Sequence, residues 1–487
     1  MKSARFGHLS RRSLLAASGA AALAAVVRPW PLRAGSPIEY RLVASPGRAH
    51  LVGAPYPETA VWSYNGTVPG PEIRVRQGER LRVVVENRLG EETTVHWHGL
   101  RVPNPMDGVP DLTQPPIAPG DEFIYEFDAP DAGTYWYHPH QRSFEQVGRG
   151  LYGPLIVEER QPIKVDREIT WVLDDWRLER DAQISGGFGN FMDVSHGGRL
   201  GNTVTVNGRI LDSFAVRAGE RLRLRLINAA NARIFGLAFQ DHRPTVIALD
   251  GQPVEPHEPA EGRVVLGPAM RADLVVDMSG RPDKRFTVAD TFYRDREYRL
   301  LDLVYGKEPP LREHPLDAPV HLAANTMPEP DLATAERHQV TFGGGMMGMM
   351  MAGGMMGGGM MGDMMRGTMR GTTGMMTGRG VWTVNGVSAT GHTPKPFLTL
   401  RRNDSYVLAM HNNTFFHHGI HLHGHSFRVI ARDGGPTRYR EWQDTVLMAA
   451  DERVEIAFVA DNPGDWMIHC HMLEHQAGGM MGVIRVV

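Results

Sequence analysis

The sequence predicts an all-β protein of three β-sandwich domains behind an N-terminal export leader. Two observations carry this: short runs with a period of two, and one pattern that recurs three times along 487 residues. Arg80-Leu81-Arg82-Val83 and Arg221-Leu222-Arg223-Leu224-Arg225-Leu226 alternate charged and apolar residues. Alternation sends neighbours to opposite faces of a sheet, and the Gly, Pro and Asn between such runs supply turns, so half-buried antiparallel strands are expected. No strongly amphipathic helical pattern follows the leader. The recurring pattern begins at Tyr64-Asn65-Gly66, at Val206-Asn207-Gly208 and at Val384-Asn385-Gly386, each followed by a turn, an apolar run and an Asn (Asn87, Asn228, Asn412). Asn65 and Asn207 are 142 residues apart; Asn207 and Asn385 are 178 apart, and a Gly/Met-rich insert of about 36 residues accounts for the excess. A repeat this long is a duplicated domain rather than a solenoid unit.

The elements follow in order. Residues 1–34 carry Lys2, Arg5, Arg11, Arg12, Arg28 and Arg33, no acid, and a short apolar stretch ending at Val27. Basic head, apolar middle and adjacent arginines make a twin-arginine signal, which places the mature chain in the periplasm. That export machinery carries folded proteins, which suits a chain loaded with cofactor first. The domains are expected at 35–160, 161–310 and 335–487, with a Pro-rich connector at 311–334 and the insert at 343–378. No apolar run reaches the ~20 residues of a membrane span. Cys470 is the single cysteine, so no intrachain disulfide can form. The formal charge is −3 before loss of the leader's six positive charges, which argues against nucleic acid as a partner. A monomer is expected.

The histidines carry the chemistry. Four His-x-His motifs occur: His96-Trp97-His98, His138-Pro139-His140, His421-Leu422-His423 and His469-Cys470-His471. On a strand each presents two imidazoles in one direction. All four fall in the first and third repeats, so eight imidazoles converging between those domains would hold a multinuclear metal cluster. The second domain has none at the matching place and reads as a spacer. Parity then assigns a second site. Cys470 points away from His469 and His471, and His418, three residues before His421, points away from His421 and His423. Cys470 and His418 therefore meet on the opposite face, with His475 and Met480 following in a turn-like stretch. Two imidazoles, a thiolate and a distant thioether are the ligand set of a blue-copper electron-transfer site. His-Cys-His then bridges a one-electron acceptor and a multinuclear cluster, and full reduction of dioxygen to water needs four electrons.

His96-Trp97-His98-Gly99, Tyr137-His138-Pro139-His140, His418-x-x-His421-x-His423-Gly424 and His469-Cys470-His471-x-x-x-His475-x-x-x-x-Met480 together resemble the signatures of the multicopper oxidase family across nearly all of 36–487. The resemblance implies three cupredoxin-like β-sandwich domains and four copper ions. It implies type 1 ligands His418, Cys470, His475 and Met480. It implies type 2 ligands His96 and His421, and type 3 ligands His98, His138, His140, His423, His469 and His471. His417 falls outside the His-x-x-His-x-His spacing. His425 reads as a neighbour of a ligand or a solvated residue, and His196, His242 and His257 as ordinary surface residues.

Asp107, before Gly108, reads equally as a turn residue and as a carboxylate that delivers protons to dioxygen reduction, as in similar bacterial members. Some relatives carry an acid directly after the histidine equivalent to His475; here it is Gln476, with Glu474 nearby at opposite parity. Fourteen of the 26 methionines lie in the insert. Soft thioethers prefer cuprous ion, so the resemblance points to a cuprous oxidase for copper tolerance, with substrate copper held by Met346, Met347, Met355, Met356 and Asp363. Such oxidases place Asp and Met before the histidine equivalent to His418; here Asn413-Thr414-Phe415-Phe416-His417 stands there. A laccase-type oxidase of phenols, a non-enzymatic copper-sequestering protein and a copper-free envelope-assembly member are the rival readings. The complete ligand set argues against the last two.

Overall fold

The computed structural model describes residues 36–318, 320–345, 380–390 and 394–487. The leader and the expected substrate-copper residues Met346, Met347, Met355, Met356 and Asp363 lie outside the described residues. Strands from Ile38–Ala49 to Gly153–Glu158 form two four-stranded sheets facing one core, which includes Leu81, Trp97, Tyr125 and Tyr137. Strands from Arg167–Trp176 to Tyr298–Tyr305 form a six- and a five-stranded sheet around a second core. Strands from Glu336–Gly344 to Met481–Val486 form a seven- and a five-stranded sheet around a third. A fourth apolar cluster joins the three sandwiches, with Trp136, Trp176, Ile227 and Leu473 among its members. Among the described residues no helix is long and apolar enough to cross a membrane.

The recurring Asn-Gly has a structural reason. Asn65, Asn207 and Asn385 all adopt positive φ (54°, 52° and 50°), each followed by a glycine at positive φ. Asparagine tolerates this conformation better than most residues. Each side-chain oxygen also accepts a neighbouring backbone N–H: Val43 at 2.7 Å, Val172 at 2.8 Å and Thr341 at 2.8 Å. The turn and the adjacent strand are thereby locked together in all three sandwiches.

The half-buried expectation fails for Arg221–Asn228, where all eight residues are buried. The strand is central, parallel to Arg167–Trp176 and antiparallel to Arg271–Asp277. Its charged face lies under the first sandwich, where Arg223 and Arg225 both donate to Asp273 Oδ2, at 2.6 and 2.9 Å. Glu159 and Glu168 complete the network, so the buried charges are paired. The insert also begins later than 343. The strand Glu336–Gly344 pairs Gly343 with Thr383 and Gly344 with Trp382.

Candidate metal centres

The eight cluster imidazoles come from two strand pairs and their extensions. His96 stands opposite His138 in one antiparallel pair, while Trp97 and Tyr137, paired next to them, point the other way and fill the first core. His421 stands opposite His469 in the other. Three trios place one ring nitrogen each within 4.8 Å of one another: His98–His138–His471, His140–His423–His469 and His96–His98–His421. All are buried.

Hydrogen bonding decides which nitrogens face inward. A carbonyl or carboxylate oxygen can only accept, so the nitrogen facing it carries the proton and the other presents a lone pair. His138 Nδ1 donates to the Pro139 carbonyl at 3.0 Å, His469 Nδ1 to the Cys470 carbonyl at 3.0 Å and His423 Nδ1 to Asp107 Oδ2 at 2.8 Å. His98 Nε2 donates to Asp444 Oδ1 at 3.2 Å. The remaining nitrogens converge: His423 Nε2 lies 3.1 Å from His469 Nε2, and His138 Nε2 lies 3.5 Å from His98 Nδ1. His96 and His421 donate through Nδ1 to the carbonyls of Asp107 and Asp444, and their buried Nε2 atoms have no hydrogen-bond partner. Lone pairs at this separation repel unless a cation lies between them. Burial, then the neighbouring imidazoles, hold His98, His138, His140, His423 and His471 well below the usual histidine range. Neutral imidazoles are the form that binds metal.

The second site lies on the opposite face. Ile420 pairs with Cys470 across the strands, and His418 shares that parity. His418 Nδ1 is 3.3 Å from Cys470 Sγ and 3.0 Å from His475 Nδ1. Both outer nitrogens are tied. His475 Nε2 donates to the His196 carbonyl at 2.5 Å. His418 Nε2 donates to Thr414 Oγ1 at 2.8 Å, and that hydroxyl donates onward to Asn412 Oδ1. Both Nδ1 lone pairs therefore face the sulfur. Burial pushes the Cys470 thiol up to about 12, so a thiolate here requires a metal cation. His475 sits on the short helix Leu473–Ala477 rather than in a turn. Met480, fully buried, is tied to both neighbours: its N–H donates to the His475 carbonyl and its carbonyl accepts from Cys470 N.

Family profiles described as multicopper oxidase match residues 48–162, 168–304 and 363–487. The chain belongs to the multicopper oxidase family. It is 32% identical to the multicopper oxidase MmcO of Mycobacterium tuberculosis, over 95% of this chain and 90% of that one. The crystal structure of a multi-copper oxidase from Pseudomonas thermotolerans superposes with a TM-score of 0.79 at 33% identity, over 92% of this chain and 99% of that one. A Campylobacter jejuni multicopper oxidase described as a metallo-oxidase gives 0.74 at 28% identity, over 92% and 91%. This multicopper oxidase is thus a copper-dependent oxidoreductase of cupredoxin-like sandwiches, and four coppers are the family's complement. The paired lone pairs, the orphaned Nε2 atoms of His96 and His421 and the soft Cys470 sulfur fit them.

The other residues singled out in the sequence of the oxidase divide, His425 lying beside His423 as expected and His242 departing most from expectation. Asp107 is fully buried, with Oδ2 bonded to His423 and Oδ1 3.2 Å from His96 Nδ1 but not aligned to bond it. Gly108 makes this possible: its φ is +81°, and a Cβ there would collide with the Val95 carbonyl. The Gln476 amide approaches His140 Nδ1 at 3.4 Å and Ser143 Oγ at 3.2 Å. Glu474 turns away from the cluster and accepts from Asn231 Nδ2 and Arg199 N; burial raises its carboxyl to about 7. His242 is not a surface residue: it is buried, donating Nδ1–H to the Gln240 carbonyl with Nε2 against the Tyr305 hydroxyl. His257 is half-buried and stacks on Tyr439. His196 is half-buried, and His425 is buried with Nδ1 donating to the His423 carbonyl. The second domain is no mere spacer, because its His196 carbonyl, Arg199 and Asn231 reach the helix Leu473–Ala477 that carries His475. Sequence reasoning also missed Thr414, whose only signal was its nearness to His418, and Asp444, which lies 23 residues after His421 and carried none.

Proposed function

We propose that this multicopper oxidase takes single electrons from cuprous ion and delivers them to dioxygen, which is reduced to water, as a periplasmic copper-tolerance enzyme exported by the twin-arginine route. In this reading His418, Cys470, His475 and Met480 hold type 1 copper, and His96 and His421 hold type 2. His98, His138 and His471 hold one type 3 copper, and His140, His423 and His469 the other. Copper, when bound, supplies one-electron redox chemistry and the capacity to bind dioxygen. The residues do the rest. His469-Cys470-His471 covalently joins the two donor sets, giving an electron received at Cys470 a through-bond route to His469 and His471. Asp107 holds the proton-bearing Nδ1 of His423 and keeps a free Oδ1 to carry a proton inward.

The observation that favours cuprous ion over a phenol is the tying of both outer nitrogens, His418 Nε2 to Thr414 and His475 Nε2 to the His196 carbonyl. A phenol finds no free imidazole N–H there. The insert's thioethers suit a soft cation, and the Campylobacter jejuni neighbour is described as a metallo-oxidase. The laccase-type reading is favoured by Phe415, 60% exposed and three residues before His418, which offers an aromatic platform.

The test is deletion of 346–378, which spares the strand Glu336–Gly344. Cuprous-ion oxidation should fall strongly, while oxidation of bulky phenols should hold or rise. Unchanged cuprous oxidation would put the laccase-type reading first.

A further inference from the structure

We propose that the second domain, which supplies no ligand, positions the cluster through a buried clamp in which Arg271 and Asp250 hold Asp444 against His98 and His421. The inference rests on the reading of His98 and His421 as copper ligands.

Asp444 precedes Thr445, and this pair is what the outer nitrogens of both imidazoles touch. His98 Nε2 lies 3.2 Å from Asp444 Oδ1 and 3.1 Å from Thr445 Oγ1. His421 Nδ1 lies 2.9 Å from the Asp444 carbonyl and 3.1 Å from Thr445 Oγ1. The Thr445 hydroxyl donates to Asp444 Oδ1 at 2.8 Å, so its oxygen is left to accept from the rings. One dipeptide therefore orients an imidazole of the first sandwich and one of the third.

That dipeptide is held from the second sandwich at both side chain and backbone. Arg271 donates Nη1–H to Asp444 Oδ1 at 2.8 Å and Nη2–H to Oδ2 at 2.6 Å, a two-pronged pair that fixes the carboxylate plane. Asp250 Oδ2 accepts the backbone N–H of Asp444 at 3.2 Å and of Thr445 at 3.1 Å, while Oδ1 accepts Arg271 N at 2.9 Å. Arg271 Nε donates to the Thr134 carbonyl of the first sandwich at 3.2 Å. All three charged residues are buried, where a guanidinium and two carboxylates persist only because each is paired.

Gly99, the residue after His98, shows that room was left for the clamp. Its φ is +86°, and a Cβ there would overlap Arg271 Nη2 and Asp444 Oδ2. The glycine of His96-Trp97-His98-Gly99 thus lets parts of all three sandwiches meet at one point.

An ion pair that merely glued domains together would leave ligand orientation untouched, and the test separates the two roles. Arg271→Gln, Arg271→Lys and Asp250→Asn are prepared as full-length, copper-loaded proteins. Copper per chain, the paramagnetic signal of the His96/His421 copper, the blue absorbance of the Cys470 centre and the thermal midpoint are measured on each. Groups that orient metal ligands typically change affinity 10–100-fold when replaced. Arg271→Gln and Asp250→Asn should therefore lose the His96/His421 copper at about 10–100-fold lower chelator concentration than wild type. Their blue band should be intact. Arg271→Lys should recover part of the loss, since an ammonium keeps the charge without the two-pronged geometry. Wild-type retention of copper in both Arg271→Gln and Asp250→Asn would overturn the clamp. So would parallel loss of the blue band and the thermal midpoint. His421→Ala is the control on the underlying reading: if it keeps all its copper, the ligand assignment fails, whatever the clamp variants do.

Discussion

His421 and His469 face each other directly across two antiparallel strands, and Ile420 faces Cys470 beside them. Paired residues share a sheet face, so this register sends two cluster imidazoles one way and the cysteine the other. His418, two residues before Ile420, joins Cys470. In the proposed reading a single strand pair thereby serves two metal centres, joined covalently through His469-Cys470-His471.

Asp107→Asn should lower dioxygen reduction by about 100-fold or more, the low end of what a positioned proton donor contributes, while the blue band of the Cys470 centre stays. The amide still meets His423 Nδ1 but exchanges no proton. Stopped-flow reoxidation of the fully reduced enzyme checks this. A wild-type rate would leave Asp107 with only an orienting role.

Met480→Leu should keep the Cys470 centre blue and raise its reduction potential. Removal of a weak sulfur donor disfavours the oxidised ion, and each tenfold change in that preference is worth about 59 mV for one electron. A redox titration showing no change, or a fall, would make Met481 the residue to replace next.

Acid should destabilise the copper-free protein. His98, His138, His140, His421, His423, His469 and His471 are held below their usual range, chiefly by burial. Below about pH 6.5 the unfolded chain takes up protons that the folded chain refuses, so stability falls as pH falls. The loss is at most about 1.4 kcal/mol per imidazole per pH unit. Thermal melts of the copper-free protein from pH 7 to pH 5 should show a steep drop in midpoint. A flat profile would mean that the imidazoles protonate inside the fold.

The parts of the site legible in sequence are those that depend on local geometry. Period two along a strand is enough to put His469 and His471 on one face and Cys470 on the other, and the Asn-Gly turns mark the three sandwiches. The split into type 2 and type 3 sets came only from the family resemblance, and the trios only from the fold, because spacing along one strand says nothing about which partner strand lies opposite. Arg271, Asp250 and Asp444 were illegible for a different reason: they come from distant stretches and meet only when the sandwiches pack. Arg223 and Arg225 looked like a solvated face, since alternation cannot distinguish water from a neighbouring strand carrying Asp273 and a first domain carrying Glu159. The His196 carbonyl is a backbone group, which no side-chain pattern marks.

The most direct test of the account is Cys470→Ser, since in the proposed reading Cys470 is where an electron enters and the peptide link to the cluster begins. Serine lacks the soft sulfur but matches the thiol in size, and the position is fully buried, so the fold should survive. Copper content, visible absorbance and dioxygen uptake with cuprous ion are measured on one preparation. The account predicts three coppers per chain, no blue band and no turnover, with a wild-type far-ultraviolet circular dichroism spectrum. A blue Cys470→Ser protein, or one that turns over, would contradict it.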